Sequence, residues 1–301
     1  MKYCCLLLAL TLCTHNSLAA TVCDGISLQV LGSGGPELDD GRASSSYLLW
    51  QDGQARVLID TGPGSASNFE KSGAHFEDLQ AILFTHLHVD HSADFPSYIK
   101  GSYFTARDTD LTVLGPAGNS LMPATSIFVD RQIGPTGAYP YLANYLQPGQ
   151  QSAYKVVPTD APINDREVHH YTLSPAITAS SVAVHHGPIA AVAWRVNVGR
   201  CSVTFSGDMN NEYQTLADLA LDTDLLVIHN AVPESAAGVA TQLHMRPSEI
   251  GRIAHNAKAK QLLISHRMTR TLGQTSDTLR LIREHYQGPV SFAEDLAVIT
   301  P

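Results

Sequence analysis

Apolar residues in this chain fall mostly into short runs bounded by glycine, proline and aspartate, the pattern of strands with buried faces. Such runs predict strands over Ile26 to Leu31, Leu79 to Phe84, Leu111 to Leu114, Ile177 to Val184 and Ala190 to Val198. Val203 to Phe205, Asp224 to Ile228, Gln261 to Ser265 and Val290 to Ile299 continue the series. Ser46 to Trp50 and Arg56 to Ile59 read as a strand pair about Asp52-Gly53. Helices are expected over Ala93 to Tyr103 and Ser276 to Tyr286. Another starts at Pro247, where a missing N–H costs least, and Ile250, Ile253, Ala254 and Ala257 give it one apolar face. Strand, loop and helix recur in both halves, which argues for one α/β domain of two similar halves. Gly134 to Gln150 is the least regular stretch. Its Tyr139, Tyr141 and Tyr145 either pack a cap onto the domain or line a substrate pocket; exposed, they would support a homodimer.

The chain has 301 residues, 44% of them apolar, enough for a substantial core. Its formal charge is −9 and no Lys/Arg cluster stands out, so no nucleic-acid partner is expected. Residues 1–19 read as a signal peptide: Lys2 at the charged end, Leu6 to Leu12 as the short apolar core, Ser17-Leu18-Ala19 before the cut. The core is too short to span a bilayer, and no membrane anchor is expected. The expected location is the periplasm or the outside of the cell, with residues 20–301 as the mature domain. Cleavage removes Cys4, Cys5 and Cys13, leaving Cys23 and Cys201 as either one disulfide or two free thiols.

The chemistry concentrates in Thr85-His86-Leu87-His88-Val89-Asp90-His91, just after an apolar strand. His86 and His88 can direct two imidazoles at one metal, and Asp90 and His91 can reach a second. Histidine nitrogen with carboxylate oxygen is the ligand set of catalytic zinc. More candidates stand at later strand ends: His186 in His185-His186-Gly187-Pro188, Asp208 in Ser206-Gly207-Asp208, and His266 after Leu262 to Ser265. Only one of His185 and His186 is expected to face the metals, because successive strand residues point to opposite faces. Asp60, in Asp60-Thr61-Gly62, has no second Asp-Thr/Ser-Gly to make an aspartic protease and reads as a loop-fixing residue beside the metals. The Gly-rich turn Gly32 to Pro36 lacks the helix start that a phosphate cradle needs.

These motifs, with Leu111-Thr112-Val113-Leu114-Gly115-Pro116 and Leu243-His244-Met245-Arg246-Pro247-Ser248, resemble the metallo-β-lactamase superfamily in its ribonuclease Z-like branch, over nearly the whole mature chain. The resemblance implies an αββα sandwich, two sheets face to face with helices outside. It implies that His86, His88 and His186 hold one zinc, that Asp90, His91 and His266 hold another, and that Asp208 bridges them. Manganese and iron are the alternative metals. It makes Asp90 and His244 the candidate catalytic residues, His244 contacting the scissile group, and puts His229 outside the ligand set. The implied protein is an exported dinuclear zinc hydrolase whose hydroxide attacks a small phosphoester, best a diester. An arylsulfatase-type or a lactonase/β-lactamase-type hydrolase is the alternative. The chain departs from ribonuclease Z proper in carrying Asn230 where those enzymes have a glutamate, and in lacking a basic, Gly-rich arm.

Overall fold

The structure, a computed structural model, describes Met1, residues 22–147, Gly149 and residues 151–301. Beyond Met1, the expected signal peptide, with its cut near Ala20, lies outside the described residues. The strands are β1 Ile26–Gly32, β2 Ser46–Gln51, β3 Gln54–Ile59, β4 Ala81–Leu83, β5 Leu111–Pro116, β6 Val156–Ala161, β7 His169–Ser174, β8 Ile177–Ala183, β9 Val192–Val198, β10 Cys201–Phe205, β11 Leu225–His229, β12 Gln261–Ser265, β13 Val290–Phe292 and β14 Val298–Ile299. They form two seven-stranded sheets, ordered β14-β1-β2-β3-β4-β5-β6 and β13-β12-β11-β10-β9-β8-β7. In the first, the pairs from β14 to β3 are antiparallel and those from β3 to β6 parallel. The second repeats this, antiparallel from β7 to β10 and parallel from β10 to β13. This is the αββα sandwich of two similar halves.

The strands read as continuous apolar runs because both faces of each sheet are covered. On β2, Tyr47 and Leu49 point between the sheets while Leu48 points to the helices outside. On β11, Leu225 and Val227 point inward while Leu226 and Ile228 point outward. Phe95, Tyr98 and Ile99 of helix Phe95–Ser102 cover the first sheet. Ile250, Ile253 and Ala254 of helix Pro247–Asn256 cover the second. The β2–β3 hairpin turns through Asp52 (φ 51°) and Gly53 (φ 75°), a pair suited to the left-handed region that a two-residue hairpin needs.

Several boundaries differ from expectation. The expected strand Val290 to Ile299 is two strands, β13 pairing with β12 in the second sheet and β14 with β1 in the first. Between them the chain crosses the sandwich, and Asp295 is anchored there by the backbone N–H groups of Ser33 and Ala43 at 2.9 and 2.8 Å. The expected strand Leu79 to Phe84 shortens to β4, Ala81–Leu83. Edge strands β6 and β7 escaped sequence reading because their exposed positions are polar or interrupted, as in the Val-Val-Pro-Thr-Asp-Ala of β6. Tyr145 is buried against Tyr154, ring centroids 4.9 Å apart, so it packs a cap, whereas Tyr139 and Tyr141 are exposed. Cys23 and Cys201 form a disulfide that joins the start of the first sheet to β10 of the second.

Candidate metal centre

The chemistry gathers where strands end. Asp60 follows β3, the His86 to His91 loop follows β4, Asp208 follows β10, His229 closes β11 and His266 follows β12. A strand end frees side chains from the pleat while the paired backbone behind stays rigid, so ligands at the carboxyl ends of parallel strands are well placed. The two sheets are fastened together at this point. Val192 N–H of β9 donates to Thr85 O at 2.9 Å, and Trp194 Nε1–H donates to Phe84 O at 2.8 Å.

Asp208 lies at the centre. Its Oδ2 is 3.5 Å from His266 Nε2, 3.8 Å from His91 Nε2, His186 Nε2 and His244 Nδ1, and 4.0 Å from His86 Nε2. Two groups of donor atoms share this carboxylate: His86, His88 and His186 on one side, His91, His229 and His266 on the other. Asp90 closes the second side, with Oδ2 3.1 Å from His266 Nε2 and 3.6 Å from His91 Nε2. On the first side His88 Nδ1 lies 3.1 Å from His86 Nε2 and 3.4 Å from His186 Nε2. Three imidazole nitrogens so close cannot all satisfy one another by hydrogen bonding, and a cation among them resolves the conflict. His91 Nε2 is fully buried with no hydrogen-bond partner among the described residues. The donor set, imidazole with carboxylate, fits divalent metal ions.

Electrostatics point the same way. Burial, with His91 and His186 close by, holds His86 well below the ordinary histidine range, and burial lowers His88 and His186 too. These three are neutral, the form that ligates. Burial opposes a proton on His91, but the Asp90 and Asp60 carboxylates push it up to about 9, and burial is likewise overcome at His266 by Asp208 and Asp90. Asp90 and Asp208 lie below the carboxylate range despite burial, held there by surrounding histidines. A cation can replace the protons that the carboxylates gather.

Outer residues fix the inner ones. Asp60 is fully buried at φ 57°, accepting from Thr85 N–H at 2.7 Å and Thr85 Oγ1–H at 2.8 Å, and bonding His91 Nδ1 at 2.7 Å. This puts the His91 proton on Nδ1 and leaves Nε2 for the centre. His186 Nδ1–H donates to Leu243 O at 2.9 Å, with the same effect. Gly207 is at φ 57°, and a Cβ there would lie 2.7 Å from Thr85 Cβ, so the Ser-Gly-Asp turn admits no side chain at its middle.

Every residue expected at the centre is brought to it. His186 faces in, while His185 turns out to Asn210 at 3.0 Å. His244 caps the short helix Val239–Leu243, its ring 5.4 Å from that of His186. Burial, only partly offset by Asp208, drives it down to about 3. It borders a cleft of about 190 Å³ with Asn210, Thr241, Arg246 and Ser248. His229 sits closer than sequence reading placed it, yet both its nitrogens are engaged, Nδ1 with Asp208 Oδ1 at 2.8 Å and Nε2 with Tyr47 OH at 2.9 Å. Tyr47 carries no motif signal, and Thr85 stands beside the His86 to His91 stretch without a sign of its role, because only the folded backbone brings them to His229 and Asp60. His75 and His255 are exposed, and His169 pairs with Asp165 at the surface.

Known proteins resemble this chain in sequence and fold. The model of the β-lactamase superfamily domain matches residues 55–267. A ribonuclease Z of Haloferax volcanii is 28% identical over 295 residues, covering 88% of this chain and 92% of its own length. The metallo-β-lactamase fold protein YhfI from Bacillus subtilis superimposes with a TM-score of 0.71 at 20% identity, over 91% of this chain and 98% of its own. The short form of human tRNase Z does so at 0.70 and 18%, over 91% and 99%. The solved structures show the fold, and the family match covers most of the chain. This protein is a metal-dependent hydrolase acting on ester bonds, and it belongs to the β-lactamase superfamily, in its ribonuclease Z-like branch.

Proposed function

We propose that the chain is an exported hydrolase of small phosphodiesters that works with two zinc ions. His86, His88 and His186 would hold one, Asp90, His91 and His266 the other, with Asp208 between them. The observation that carries this reading is the position of Asp208 Oδ2, 3.5 to 4.0 Å from nitrogens of four of those histidines. Bound divalent ions would supply Lewis acidity and acidify a water near neutral pH. Asp90, kept ionised by His91 and His266, accepts a hydrogen bond from the attacking water and orients it. Neutral His244 keeps one ring N–H, which donates to an ester oxygen and stabilises the charge developing there. The bond from the water oxygen to phosphorus would form as the opposite P–O bond breaks, and the proton given up by the water would pass to the departing oxygen, which leaves as an alcohol.

The relatives named ribonuclease Z support a phosphodiester. Two features support a small one in place of RNA. The chain carries a charge of −9, and by the ribonuclease Z resemblance the buried Asn230 stands where those enzymes have a glutamate. The disulfide supports export, since such bonds persist in oxidising compartments.

The test uses zinc-loaded protein from Ala20 onward with bis(p-nitrophenyl) phosphate, p-nitrophenyl sulfate and a precursor tRNA as parallel substrates. Diester turnover that chelation abolishes is expected. Turnover of the sulfate without the diester, or efficient trimming of the tRNA, would overturn the reading.

A further inference from the structure

The two oxygens of Asp208 meet different surroundings. Oδ2 faces the imidazoles of the centre, whereas Oδ1 bonds His229 Nδ1 at 2.8 Å. Behind His229 lies Tyr47, its hydroxyl 2.9 Å from Nε2. Tyr47 is 0% and His229 3% exposed. The two come from opposite sheets, Tyr47 from β2 and His229 from β11. Tyr47 is held between the sheets against Phe205, ring centroids 5.6 Å apart, and His229 stacks on His266 at 4.9 Å. The link from Tyr47 through His229 to Asp208 therefore crosses the sandwich core and ends on the carboxylate common to both donor groups.

A neutral imidazole carries one proton. A phenol donating to Nε2 leaves that proton on Nδ1, aimed at Asp208 Oδ1. With Oδ1 held, the carboxylate cannot rotate to offer one oxygen to each side of the centre. We propose that Tyr47 is a positioning residue: its hydroxyl sets the tautomer of His229, His229 holds Asp208 Oδ1, and Oδ2 alone is left to be shared by the two metals. This rests on the metal assignment made above.

Tyr47→Phe removes one oxygen and leaves the ring packing in place. The measurements are zinc affinity, by competition with a chromophoric chelator, and the d–d absorption of the cobalt(II)-loaded protein. Outer hydrogen bonds to metal sites are worth about 10- to 100-fold in affinity, and Tyr47, one residue further back, is expected to lie near the tenfold end with a changed cobalt spectrum. His229→Phe should weaken binding further, and the double variant should match it, because Tyr47 acts only through His229. If His229→Phe does not fold, His229→Asn replaces it in the cycle. A Tyr47→Phe protein with affinity within twofold of wild type and an unchanged cobalt spectrum overturns the proposal, even if its urea midpoint falls. So does a double variant weaker than His229→Phe by the full Tyr47→Phe factor. Wild-type protein that takes up no zinc, or Asp208→Asn protein that binds it as well as wild type, would instead sink the metal assignment itself.

Discussion

Asp60→Asn is a change of one atom with a large expected consequence. Asp60 Oδ2 serves both Thr85 Oγ1 and His91 Nδ1, while Oδ1 serves the Thr85 N–H. An asparagine can keep its carbonyl on the Thr85 N–H, and its amide then faces His91. The two N–H groups cannot both donate, so the imidazole must move its proton from Nδ1 to Nε2 to accept from the amide. Nε2 is the buried, otherwise unpartnered nitrogen that points at Asp90 and Asp208, 3.6 and 3.8 Å away. A proton there blocks ligation. Loss of such an outer carboxylate typically weakens metal binding by about 10- to 100-fold, or about 1.4 to 2.8 kcal/mol. The fold itself should lose about 3 kcal/mol in the metal-free state, because three charge-assisted bonds become neutral ones about 1 kcal/mol weaker each. Chelator competition gives the affinity, and urea unfolding of metal-free protein gives the stability. A variant that binds zinc within twofold of wild type, at the same stoichiometry, would refute the tautomer reasoning.

Three other outcomes are expected. Replacing Cys23 and Cys201 together by serine frees a loop of sequence separation 178, for which the chain-entropy relation gives about 5 kcal/mol as an upper figure; a urea-derived loss below about 1 kcal/mol would contradict it. His244→Ala should lower kcat by about 10²- to 10³-fold while zinc stoichiometry is unchanged, and loss of a metal equivalent would show that His244 is a ligand instead. Asp224 is held below the carboxylate range, burial opposing and Lys260 and Ser202 prevailing. A depressed carboxyl stabilises the fold above its unfolded pKa, about 3.9, and the contribution disappears as pH falls through the folded value. Urea midpoints of wild type and Asp224→Asn should therefore differ at pH 6 and converge toward pH 2; a constant gap would be inconsistent with that sign.

Much of this molecule follows from local sequence. Runs such as Leu225 to Ile228 and Leu262 to Ile264 are apolar at every position facing either side, and their shortness suits a strand buried on both faces. The donors are likewise legible, because His86, His88, Asp90 and His91 crowd one strand end, and motifs place His186, Asp208 and His266 at others. Local sequence does not decide which nitrogens face inward, since that depends on what each ring's far side meets. Asp60 turns His91, Leu243 O turns His186, and Asn210 draws His185 away. Nor could it divide Val290 to Ile299 between two sheets, because both pieces alternate like any strand and only the available edges, β12 and β1, separate them. Cys23 and Cys201 became neighbours only when the sheets closed face to face. Tyr47 and His229, 182 residues apart, show the limit most clearly: each reads as an ordinary strand residue, and their hydrogen bond exists only because β2 and β11 face each other across one core.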